Sequence, residues 1–152
     1  MARLKRTVAV TPKAISQHEL SPAWRELIAA ALNARDHAHA PYSHFPVGAA
    51  VRMRSGRVYA GCNVENASSG LTVCAERVAI WNAVAQGETE FEALVVVTAP
   101  GSTPCGACRQ VMSEFAKDLP IVVADTAGMA WMTSLRALLP DPFPRVSYGE
   151  RA

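Results

Sequence analysis

The chain of 152 residues falls at the common size of one domain, and a composition half hydrophobic and 18% charged excludes a disordered chain. Fifteen Lys and Arg stand against thirteen Asp and Glu, a net charge of +2, and the only basic cluster is Arg3, Lys5 and Arg6, so bulk nucleic acid is not an expected partner. No run approaches the roughly 18 apolar residues that span a bilayer, and Thr7 to Pro12 is too short and polar for a signal-peptide core; no membrane association and a cytoplasmic location are expected.

Residues 1–12 are read as a disordered basic stub and residues 13–152 as a single domain. Ser21-Pro22 marks a helix start, with Ser21 as N-cap and Pro22 at the first helical position. Trp24, Leu27, Ile28, Ala31 and Leu32 follow at helical spacing towards an end near His37. Val47 to Met53 predicts a strand, Ser55-Gly56 a turn, and Arg57 to Cys62 the hairpin partner. The polar segment Asn63 to Val73 suits a loop, and Cys74 to Gln86 shows the apolar rows of a helix closed by Gly87. Ala93 to Thr98 is a β-branched run without alternation, as in a strand buried on both faces. After a loop through Pro104, Cys105 to Lys117 predicts a helix, Ile121 to Ala124 a strand and Ala130 to Thr133 a short strand. Thr133 or Ser134 then caps a last helical turn running to Leu139. A hairpin first and crossovers afterwards imply a three-layer α/β/α sandwich around a mixed sheet of about five strands.

Cysteines in a reducing compartment are read as metal ligands, catalytic groups or buried thiols rather than disulfides. Cys105-Gly106-Ala107-Cys108 is half of a tetrahedral zinc site, because two thiolates three residues apart can both point inward from a turn entering a helix. A second such pair is missing; Cys74, within Thr72-Val73-Cys74-Ala75-Glu76-Arg77, is the distant third thiolate. Three thiolates leave one position open for water, which is the arrangement of a catalytic zinc. Both ligand segments are predicted to open helices, whose N-terminal partial charge favours ionised sulfur. Arg77 is placed to donate to a thiolate and so restore Lewis acidity to a negative ligand shell. Glu76, two residues after a ligand, can carry a proton between water and a substrate nitrogen.

Other residues admit plainer readings. Cys62, at a strand end after Gly61, is either the fourth thiolate of a structural site or a buried free thiol, and the second reading is favoured. A redox role for Cys105 and Cys108 would leave Cys74 and Glu76 without a task, and a cysteine nucleophile would need a remote histidine at Cys74. His37 and His39 at a helix end are read as exposed, while His18 and His44 carry no pattern.

Cys74-Ala75-Glu76-Arg77 taken with Pro104-Cys105-Gly106-Ala107-Cys108-Arg109-Gln110 resembles the zinc signature of the cytidine deaminases, specifically the small homotetrameric kind. The likeness extends through Pro41 to Ala50 and Gly61 to Ser68, and reaches Leu138-Leu139-Pro140 and Phe143. The resemblance implies one Zn²⁺ per chain held by Cys74, Cys105 and Cys108, with Glu76 as proton shuttle and Arg77 beside the thiolates. It further implies that Asn63 and Glu65 bind the ribose hydroxyls, that Phe45 flanks the pyrimidine, and that the Ala75 N–H meets the base carbonyl. Phe143 would reach the active site of a neighbouring subunit in a homotetramer. The implied reaction is hydrolytic: activated water adds at C4 of cytidine or 2′-deoxycytidine, Glu76 protonates N3, and ammonia leaves, yielding uridine or deoxyuridine in pyrimidine salvage. Ser69 stands where the family usually has Tyr, and Pro144 to Tyr148 departs from the usual C-terminal continuation. Ser69 motivates an alternative substrate, a modified cytosine nucleoside or an aminated nucleoside antibiotic, and the C-terminal departure implies a different lid.

Overall fold

The computed structural model describes residues 13–144. β1 (Ile15–Ser16) leads through a turn of 3-10 helix, Gln17–Glu19, into α1 (Pro22–Arg35). The hairpin of β2 (Gly48–Met53) and β3 (Val58–Cys62) precedes α2 (Ala75–Ala85). β4 (Phe91–Val97), α3 (Gly106–Phe115), β5 (Pro120–Ala124), β6 (Met129–Ser134) and α4 (Leu135–Leu138) follow. The strands form one mixed sheet in the order β1-β6-β5-β4-β2-β3, in which only β4 and β5 run parallel.

The expected three-layer sandwich is present, with six strands in place of about five. The additional strand is β1, whose two residues Ile15 and Ser16 pair with Ala130 and Met129. So short a strand has no period-2 pattern to read, and it is fixed from a distance: Gln17 Nε2 donates to the carbonyls of Asp125 and Met129 at 2.8 and 3.1 Å. Helix α1 starts at Pro22, but Ser21 makes no capping hydrogen bond. The capping serine of this region is Ser16, whose hydroxyl accepts from the His18 N–H while its own N–H donates to the Glu19 carboxylate. Ser134 caps α4 as expected, accepting from the Ala137 N–H. The disorder expected of residues 1–12, like Tyr148, lies outside the described residues.

β4 explains the unbroken apolar run. Leu94 and Val96 face the layer of α2 and α3, together with Ala49, Val51, Ile121 and Val123. Val95 and Val97 face α1, packing with Leu27, Ile28 and Ala31. Both faces of the central strand are therefore dry. The helices sit close to the sheet at two glycines. A Cβ on Gly61 would stand 2.5 Å from the Ala79 nitrogen of α2, and one on Gly48 would collide with Ala31 and Arg35 of α1.

Register brings the chemistry-bearing segments together. Gly48, first residue of β2, pairs with Cys62 at the end of β3 and with Val97 at the end of β4. One end of the sheet thus collects the segment before β2, the segment after β3 and the loop after β4. The N-termini of α2 and α3 open onto the same end.

Candidate metal centre and active site

Cys74 and Cys105 are the N-cap residues of α2 and α3, and neither side chain caps its own helix. Both sulfurs are consequently free to face each other at 3.8 Å, while Cys108, fully buried in the first turn of α3, stands 3.4 Å from Cys105. All three sulfurs lie within 4.8 Å of one another. Tetrahedral zinc with bonds of about 2.3 Å to sulfur separates its ligands by roughly 3.8 Å, so the spacing fits that ion. Two helix N-termini aim their unpaired amides and partial positive charge at this point.

The electrostatics of the cluster are those of a site ready to ionise. The Cys74 thiol is lowered from 9.0 to about 5: it accepts a hydrogen bond from the Cys108 thiol and another from Arg77, and these outweigh its partial burial. Cys108 is raised by donating to Cys74, by burial and by the Glu76 carboxylate. Arg77 Nη2 stands 3.5 Å from Cys74 Sγ and 3.3 Å from the Thr72 carbonyl oxygen, and its guanidinium lies 5.9 Å over the Trp81 ring. This is the thiolate contact expected of Arg77.

Glu76 is 4% exposed and lines a cleft of about 380 Å³ together with Cys74 and Cys105. Burial raises its carboxyl from 4.5 to about 6; its own N–H and Arg77 pull the other way, and the Cys74 charge adds to the rise. A buried carboxyl held near neutrality can both take up and release a proton.

The opposite wall is built from the segment after β3. Val64 bridges to His39 on one side and to Val73 on the other, which holds residues 63–65 extended. Alternation then turns Asn63 and Glu65 to the same side, and both line the cleft. Asn63, only 8% exposed, accepts from the Val47 N–H at 2.8 Å and donates to the Phe45 carbonyl at 3.0 Å. Glu65 Oε2 accepts from the N–H groups of Tyr42 and Ser43 at 2.9 and 3.2 Å. Its carboxyl is lowered, chiefly by hydrogen bonding from the Ser43 side chain and the Tyr42 backbone. Phe45 joins the lining at the mouth, while Ala75 is buried at the first position of α2.

Several residues fall elsewhere. Phe143 is 74% exposed and borders a separate hollow, also of about 380 Å³, between α3, α4 and the C-terminal segment; that hollow contains none of the thiols. Cys62 stays outside the sulfur cluster and points at the His37 carbonyl oxygen, 3.4 Å away. It is half-buried rather than buried, and among the described residues the cluster contains no histidine. Ser69 is exposed in a 3-10 turn, Ser69–Leu71, and does not line the cleft. Sequence reasoning missed the hydroxyl-bearing wall formed by Ser43, Thr72, Thr98, Ser102 and Thr103. Their hydroxyls are scattered over separate segments, and no spacing in the sequence links them.

Three thiolates at tetrahedral spacing, a buried carboxylate beside them and a cleft of small-molecule size define a zinc-dependent hydrolytic site on an α/β/α sandwich. Residues 23–124 match the family described as the cytidine and deoxycytidylate deaminase zinc-binding region. The chain is 44% identical over 123 residues to the cytidine deaminase of Sporosarcina psychrophila, covering 79% of this chain and 90% of that one. It is 33% identical over 109 residues to the blasticidin-S deaminase of Bacillus cereus, covering 65% and 77%. The crystal structure of cytidine deaminase from Burkholderia pseudomallei aligns with a TM-score of 0.76 at 50% identity, covering 78% of this chain and 98% of that one. The chain belongs to the cytidine and deoxycytidylate deaminase family, and its cofactor is one Zn²⁺ per chain.

Proposed function

We propose that the protein hydrolyses cytidine and 2′-deoxycytidine to uridine and deoxyuridine, releasing ammonia. The observation that carries this reading is Glu76, buried beside three converging sulfurs at the floor of a cleft whose far wall offers Asn63 and Glu65. Cys74, Cys105 and Cys108 would hold the zinc, which when bound supplies the Lewis acidity that makes water a nucleophile near neutral pH. The Glu76 carboxylate accepts a proton from that water and delivers it to N3 of the pyrimidine as the oxygen adds at C4. The carboxylate then takes the remaining proton of the oxygen added at C4 and delivers it to the exocyclic nitrogen, so that the C–N bond breaks, the C4 carbonyl forms, ammonia leaves and the carboxylate is regenerated. Arg77 offsets part of the thiolate charge.

Asn63 and Glu65 orient the ribose through its hydroxyls, Phe45 packs on the pyrimidine face, and the Ala75 N–H meets the base carbonyl. Phe143, exposed and away from the cleft of its own chain, serves the site of a second copy within a homotetramer. The setting of this proposal is pyrimidine salvage in the cytoplasm. An aminated nucleoside antibiotic has weaker support: the blasticidin-S deaminase is the more distant relative, and Ser69 stands apart from the cleft lining.

The test is the ultraviolet absorbance change when zinc-loaded protein is mixed with cytidine or, separately, deoxycytidine, with Glu76→Gln as control. Rapid conversion of either by the wild type alone is expected. A protein that carries one zinc per chain and converts neither would overturn the reading. Elution as an active monomer would remove the role given to Phe143.

A further inference from the structure

Cys105 is the exposed member of the sulfur cluster, so its position depends on the turn that presents it. That turn is gripped by Arg109, one residue beyond the ligand Cys108. Arg109 Nε donates to the Pro104 carbonyl at 2.8 Å, Nη1 donates to the Leu138 carbonyl at 2.8 Å, and Nη2 donates to Thr103 Oγ1 at 3.2 Å. Pro104 precedes the N-cap of α3 and Leu138 closes α4. Both carbonyls lie at helix ends, outside the intrahelical bonding pattern, and one side chain satisfies the pair. The next residue extends the grip. Gln110 donates to the Phe143 carbonyl at 3.1 Å and accepts from the Phe143 N–H at 3.0 Å.

We propose that Arg109 is a positioning residue for the zinc centre: it locks the Thr103–Cys105 turn against the end of α4 and thereby fixes the Cys105 sulfur. Its effect on turnover rests on the deaminase reading; its effect on metal retention does not. Three acceptors lying in different directions require a planar guanidinium, whose nitrogens diverge from one carbon. The single ammonium of a lysine cannot serve all three. Charge alone is therefore insufficient, and Arg109→Lys is the informative variant.

The experiment compares zinc-loaded wild type, Arg109→Lys, Arg109→Ala and Thr103→Val for release of metal to a chromogenic chelator at 25 °C. Ile28→Val, in the core on the far side of the sheet, controls for general loss of stability. Circular dichroism establishes that each protein is folded. The expected result is release roughly 10-fold faster from Arg109→Lys, faster still from Arg109→Ala, and intermediate from Thr103→Val, with Ile28→Val within about twofold of wild type. Turnover of cytidine should show kcat falling in Arg109→Lys with KM little changed. Folded Arg109→Lys that yields its zinc at the wild-type rate overturns the proposal, and if Arg109→Ala does not fold, Arg109→Lys and Thr103→Val decide. A zinc-loaded wild type inert towards cytidine would refute the deaminase reading alone, because the release comparison needs no turnover.

Discussion

Replacing Glu76 by Gln separates what the carboxylate contributes to the reaction from what it costs the fold. Glu76 is 4% exposed, and its carboxyl is raised from 4.5 to about 6, first by burial. A carboxyl raised in the folded state binds its proton more tightly there than in the unfolded chain. Its stabilising contribution is thus complete below pH 4.5 and is lost as the pH rises through about 6. The difference, 6 − 4.5 = 1.5, at about 1.4 kcal/mol per unit amounts to about 2 kcal/mol. Gln keeps the shape and cannot ionise. Metal-free Glu76→Gln should therefore gain about 2 kcal/mol on metal-free wild type between roughly pH 4 and pH 7.5. The same substitution removes the proposed proton carrier, and kcat should fall by roughly 10²- to 10⁴-fold while one zinc per chain is retained. Urea unfolding of the metal-free proteins at both pH values, zinc titration and absorbance-monitored turnover read the three quantities. A variant with more than about a tenth of wild-type kcat would refute the role in proton transfer. A stability gap independent of pH would refute the account of its burial.

Asn63→Ala removes both bonds that hold Phe45 and Val47, leaving a half-buried N–H and a carbonyl without these partners. A loss of about 1–3 kcal/mol in chemical denaturation and a raised KM are expected; unchanged values of both would contradict the account of this wall. Cys62→Ala should keep its zinc and its activity, since the Cys62 thiol donates to the His37 carbonyl and lies outside the sulfur cluster, and metal loss by inductively coupled plasma analysis would contradict that. Gly61→Ala forces a Cβ to 2.5 Å from the Ala79 nitrogen of α2. It should lower stability by about 1–3 kcal/mol, seen calorimetrically as a fall in Tm, and an unchanged Tm would mean that α2 can move away.

The parts of the fold legible in the sequence are those with a local physical cause. Ala93 to Thr98 reads as a doubly buried strand because every one of its faces must be apolar, and β4 occupies that place with Leu94 and Val96 on one side and Val95 and Val97 on the other. The Cys105–Cys108 spacing reads as half a metal site because chain geometry alone sets it; pairing with Cys74 depends on two helix starts meeting, which the spacing does not contain. β1 was not legible, since two residues carry no period and their partner is β6, more than a hundred residues away. The Ser16–Glu19 capping box was legible as a serine followed three residues later by a glutamate, yet the stronger Ser21-Pro22 signal overshadowed it. Asn63 and Glu65 read as polar loop until the bridges of Val64 to His39 and Val73 straighten them.

The wall residues also explain how a cleft rich in loops can be rigid. Glu65 commits one carboxylate oxygen to the amides of Tyr42 and Ser43, and Asn63 engages both ends of its amide with Phe45 and Val47. Each retains capacity beyond those bonds: Glu65 its second oxygen, Asn63 a further N–H and a lone pair. In the proposed function, the same side chains that fix the loop before β2 would thus hold hydrogen-bonding groups ready for a vicinal diol. A sugar entering the cleft need not order these groups, because the backbone has already done so, and the ordering cost that weakens binding at mobile loops is reduced. Near the sulfur cluster Arg109 does the equivalent for the turn that presents Cys105, and Gln110 holds the segment carrying Phe143. In the proposed reading Asn63 and Glu65 would hold nucleoside hydroxyls, and the turn gripped by Arg109 would hold the metal. Both places share one construction, in which polar side chains hold the backbone of the loops proposed to carry the chemistry.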